Sequence, residues 1–189
     1  MREVKKVTLS AILCALAVAI MTLGAVVETV DLTMAALASL TAVLIYVEIG
    51  APYTYLSWIV TSLLMALLFP QSLMWAEYLL IFGVYPFLKG YIERLPRLAW
   101  PFVKFAYFNL ALLGLLLVMQ LILGVRVLGE GADPSLFIDI PALRGNVPLL
   151  AAILAALGNV TLYAYDLFLT VVMRLYCLKY RERFKRFFR

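Results

Sequence analysis

Glu77, Gln120 and Asn159 stand inside long apolar runs, and they are the residues best placed to do chemistry. A polar side chain within a membrane span is costly and marks a functional site by default. A carboxylate there accepts hydrogen bonds or pairs with a cation, and an amide both donates and accepts. Tyr163 follows Asn159 by four residues and shares its helical face. Trp75 and Tyr78 flank Glu77 and offer aromatic walls. Asp31, on the same side of the chain's apolar runs, is a further ligand-binding candidate. This set has the chemistry of a small-molecule pocket, with the acid favouring a cationic or hydrogen-bonding ligand.

Each member also has a plainer role. Glu77 is near enough to the interface to face headgroups, and Gln120 and Asn159 can bond between helices. Asp166 and Lys104 are expected to form an ion pair between neighbouring helices, with Asn109 close enough to join it.

Other chemistry is excluded by count. The chain has no histidine, so a His-based metal site and a Ser-His-Asp triad are absent. Cys14 and Cys177 are expected as small apolar fillers. There is no GxxxxGK[ST] phosphate loop and no row of Arg to sense voltage. No catalytic residue, metal or cofactor is expected, and uphill movement of a substrate would draw its energy from a partner or an ion gradient.

The elements that must position these residues follow from composition. Of 189 residues, 66% are hydrophobic and 14% are charged. Soluble domains average about 45–50% apolar and about 25% charged. A chain this short could not hide so much apolar surface in its own core. An all-α integral membrane protein is expected, as one domain with six spans at 7–27, 32–49, 51–69, 74–89, 100–125 and 148–176. Gly50 and Pro52 mark a tight hairpin between the second and third spans. Pro86 is expected to kink or end the fourth.

Charge sets the orientation. With both termini inside, 14 of the 16 basic residues fall on the inner side, and only Arg126 and Arg144 lie outside. The net charge of +5 is thus a topology signal, with no nucleic acid implied. At 1.5 Å per residue, Glu77 lies about 5 Å, Gln120 about 8 Å and Asn159 about 16 Å below the outer edge. The outer loop 126–147 is long enough to suggest function. The tail 177–189 carries an apolar helical face with Lys and Arg opposite, which suits anionic lipid or a cytoplasmic partner.

The first span contains Ala11-x3-Ala15-x3-Ala19, a flat stripe that lets another helix approach closely. The basic N-terminus with this stripe, the run Val30-Asp31-Leu32-Thr33 leading to Gly50, and the long loop before the last span together resemble the S components of energy-coupling factor (ECF) transporters. The resemblance implies capture of a vitamin or other micronutrient from outside, with the long loop capping the ligand. It implies docking through the alanine stripe on a transmembrane coupling subunit carrying two cytoplasmic ATPases. It also implies a protein that is not itself an enzyme, in a prokaryotic plasma membrane. Two other readings stay open. One is a proton-coupled carrier or intramembrane enzyme using Glu77 or Asp166, although these carboxylates lie near opposite faces. The other is a non-transporting scaffold.

Overall fold

The computed structural model describes residues 3–122 and 147–181, and all regular structure among them is helical. The elements are α1 (Glu3–Val26), α2 (Asp31–Glu48), α3 (Ala51–Leu68), α4 (Met74–Glu77), α5 (Tyr85–Ile92), α6 (Trp100–Leu121) and α7 (Val147–Leu175). Five of these, all but α4 and α5, are long and apolar enough to cross a membrane. Their outer faces present Leu, Val, Ile and Phe side chains, a surface suited to lipid. Nearly all of the loop expected to cap the ligand, and the tail from 182 onward, lie outside the described residues.

Helices α1, α2 and α3 pack together. The inward stripe of α1 runs Leu9, Leu13, Ala17, Met21 and Gly24, at spacings of three and four. It meets Ala35, Ala38 and Ile45 on α2. Without a hydrophobic drive between helices in lipid, such small residues are what allow tight approach. A methyl group at Gly24 would overlap Met34 and Met74. Ala11, Ala15 and Ala19 fall on the opposite, exposed face. The α2–α3 hairpin forms as the sequence indicates. Gly50 takes φ of 118°, its N–H closes onto the Ile45 carbonyl at 3.0 Å, and Pro52 occupies the first turn of α3.

The fourth expected span differs from expectation. Residues 74–92 are broken into α4, a π-helical turn at Tyr78–Phe82, and α5. The break falls at Gly83 and Val84, and Pro86 does not end a helix. It sits in the first turn of α5, where its missing N–H costs nothing. The segment is enclosed by the other helices, with Tyr78, Phe82 and Tyr85 fully buried.

A wide turn changes the backbone bonding, and buried carbonyls must be satisfied from elsewhere. Three aromatic side chains do this. The Trp58 indole of α3 donates to the Leu79 carbonyl at 3.1 Å. The Tyr107 hydroxyl of α6 donates to Leu80 at 2.6 Å. The Tyr165 hydroxyl of α7 donates to Phe82 at 3.1 Å. Gly83 closes the turn through its N–H to the Tyr78 carbonyl at 2.7 Å. A side chain at Gly83 would meet Trp58 Cδ1 at 2.5 Å and the Tyr78 carbonyl at 2.8 Å. Gly83→Ala is therefore expected to lower thermal stability in detergent by about 1–3 kcal/mol, the usual cost of overpacking. An unchanged melting midpoint would show that the turn has room to spare.

Candidate functional site

Glu77 ends α4, one residue before the wide turn. Only 4% of its surface is exposed, and its Oε2 is buried without a hydrogen-bond partner among the described residues. Unpaired buried carboxylates are rare because desolvation costs several kcal/mol. The group borders a cavity of about 430 Å³ between α4, α6 and α7. Leu112, Leu116 and Met119 line it from α6, Ala151 and Ala155 from α7, and Leu73 from the turn before α4. Asn109 is the other polar residue on its wall among the described residues. From Asn109 to Met119 the slot follows α6 for about 15 Å. The slot exists because α6 buries little of its surface, with only Phe108 and Ala111 fully enclosed.

Asn109 and Asn159 bond reciprocally across the α6–α7 contact, at 3.3 and 3.2 Å. Each amide gives its other hydrogen to its own helix, Asn109 to the Phe105 carbonyl and Asn159 to the Ala155 carbonyl, both at 2.8 Å. Both amide nitrogens are thus fully used. Asn159 acts as glue behind the cavity wall. Asn109, expected beside Asp166, belongs to this pair instead.

The other expected residues are placed elsewhere. Gln120 is exposed, a third of a turn beyond Met119. Tyr163 is 60% exposed, because the inward stripe of α7 runs through Leu162, Tyr165, Asp166 and Leu169. Tyr78 is buried toward the first three helices, where it interacts with Thr41 and Thr61. Trp75 packs half-buried against the core, with its indole nitrogen unpartnered among the described residues. Neither aromatic residue lines the cavity. Asp31 borders a second depression of about 480 Å³ with Gln71 and Ser72, and Leu73 lines both. Asp31 also accepts the Leu32 N–H at 2.5 Å, in the first turn of α2 where an anion is favoured.

Ions gather at the other end. Asp166 is 4% exposed and accepts from Lys104 at 2.6 Å, from Tyr85 at 2.7 Å and from Lys89. Lys89 also approaches Glu93 at 3.3 Å. The expected Lys104–Asp166 pair is present, within a larger cluster. Lys89 was expected only as an inner-side charge. The signal that joins it to the cluster is Tyr85 four residues before it, on the same helical face. Cys14 is buried, with Sγ 3.0 Å from Thr61 Oγ1, whereas Cys177 is exposed and fills no core space.

Comparison of the chain with protein-family models, with curated proteins and with solved structures gives no match. The site therefore rests on its own geometry. Among the described residues, no cluster of acids and cysteines could hold a metal ion.

The ion cluster supports a prediction of relative effects. Asp166→Asn leaves two buried ammonium groups short of their shared anion and is expected to cost about 3–5 kcal/mol. Lys104→Met leaves Lys89 and Asp166 paired and is expected to cost clearly less. Thermal unfolding of both variants in one detergent checks the order, and equal losses would contradict it.

Proposed function

We propose that the chain is the substrate-capture subunit of an ECF-type importer, taking a small molecule from the outside and passing it inward. The observation that carries this reading is the apolar cavity whose free polar atom is Glu77 Oε2. A buried acid oxygen with no partner among the described residues is poorly explained as structure and well explained as a ligand contact. On this reading α4, the wide turn and α5 together act as a further span, giving six, with both termini cytoplasmic and the Glu77 end outside. The charge pattern supports that orientation. Among the described basic residues assigned to the inner side, Lys89 and Lys104 are engaged in the buried cluster.

The partner side is supported by α1. Ala11 and Ala15 border a shallow apolar groove between α1 and α3, with Cys14, Tyr53 and Leu64. In lipid such a face suits a closely packed helix of a transmembrane coupling subunit. The chain carries no phosphate loop, so ATP hydrolysis would belong to two associated cytoplasmic ATPases. The protein would act without a cofactor and without catalysis of its own, in a plasma membrane.

Mass spectrometry after extraction in mild detergent tests both halves. The intact protein is expected to carry a small molecule and to co-extract with ATPases. Ala15→Trp should lose the ATPases and keep the molecule, and Glu77→Ala should do the reverse. Absence of any ATPase, with uptake unaffected by Ala15→Trp, would remove the importer reading. Transport driven by a pH gradient without ATP would favour a proton-coupled carrier instead.

A further inference from the structure

We infer that the cavity takes an organic cation: an apolar body carrying a single ammonium-type head that pairs with Glu77. This rests on the capture reading above and adds the chemical class of what is captured.

Among the described residues the polar side chains of the cavity wall are Glu77 and Asn109, and the remainder of the lining is Leu, Met and Ala. Both hydrogens of the Asn109 amide are committed, to the Phe105 carbonyl and to Asn159. Its Oδ1 already accepts from Asn159. The carboxylate of Glu77 is left as the group with free capacity, since Oε2 is nine-tenths buried and unpartnered among the described residues. Burial of a lone acid disfavours its charged form, and a cationic donor beside it restores the ionised carboxylate, which then only accepts. In a water-poor site the donor that best offsets the buried charge is itself charged.

An inorganic cation does not fit this wall. Hard cations need six or more oxygen ligands, and Leu and Met side chains supply none. A head of one ammonium group on an apolar body matches one carboxylate in an apolar slot about 15 Å long.

The approach has the same sign. Asp31 borders the neighbouring depression, and Leu73 lines both. Carboxylates that border adjoining depressions both favour a cation arriving between them. Among the described residues, the basic side chains all lie in α1's first turns, in α5 and the turn after it, at the start of α6, or from Arg174 onward. None stands in the sequence near Asp31 or Glu77. An acidic mouth beside an acidic interior concentrates cations and repels anions.

Three probes of matched shape test the class: 4-phenylbutylammonium, 4-phenylbutan-1-ol and 4-phenylbutanoate. Binding is measured by calorimetry on the intact chain in lipid nanodiscs, with empty nanodiscs subtracted for partitioning. The ammonium probe is expected to bind at least about tenfold more tightly than the alcohol, a difference of about 1.4 kcal/mol, and the carboxylate probe not to bind. Glu77→Gln should bring the ammonium and alcohol affinities together while the alcohol still binds. Equal binding of ammonium and alcohol to the unmodified protein would overturn the cation class and leave the cavity as a capture site for neutral molecules. Tighter binding of the carboxylate probe would overturn the class likewise. Failure of all three to bind would overturn the capture reading as well.

Discussion

A helix that breaks inside an apolar environment must find partners for the backbone groups it frees, because lipid supplies none. The segment 74–92 meets this demand by enclosure. The carbonyls of Leu79, Leu80 and Phe82 are reached by Trp58, Tyr107 and Tyr165, which come from three different helices. Those bonds bind α3, α6 and α7 to one point of the chain. The Tyr165 hydroxyl also lies 2.7 Å from Ser39 Oγ, so α2 joins the same centre. The broken segment is thus the hub against which the long helices are set. Wide turns of this kind are frequent at functional sites, and here Glu77 directly precedes one.

Two further contacts divide the molecule into a tight end and an open one. At one end, Asp166 draws Lys89, Lys104 and Tyr85 together and clamps α5, α6 and α7. Glu48, at the end of α2, similarly receives Tyr176 and Arg181, each at 3.3 Å. At the other end α6 and α7 are held across the Asn109–Asn159 pair and both line the cavity. The clamp and the slot depend on each other: α6 can leave space beside Glu77 because its opposite end is fixed by ions. Such an arrangement preorganises a cavity without filling it.

Much of this was legible in the sequence. The all-helical class, five of the six expected spans and the Gly50–Pro52 hairpin follow from hydropathy and turn residues alone. Glu77 was visible as a costly acid in an apolar run, and Lys104–Asp166 as a pair at matching depth. What was not legible depends on rotation about helix axes and on backbone geometry. Gln120 and Met119 are neighbours in sequence, yet one is exposed and the other lines the cavity. Tyr163 shares a face with Asn159 by spacing, but the stripe through Tyr165 and Asp166 decides which side of α7 turns inward. The wide turn at Tyr78–Phe82 redirects Tyr78 and shifts the break from Pro86 to Gly83. No residue type announces such a turn; only the donors around it do.

The central claim is that Glu77 is buried in order to meet a ligand. An experimental density map of the protein, extracted from its membrane without added ligand, tests it most directly. The account predicts non-protein density between α4, α6 and α7, with a polar end about 3 Å from Glu77 Oε2. A carboxylate paired instead with a basic side chain of the chain itself, in a filled cavity, would contradict it.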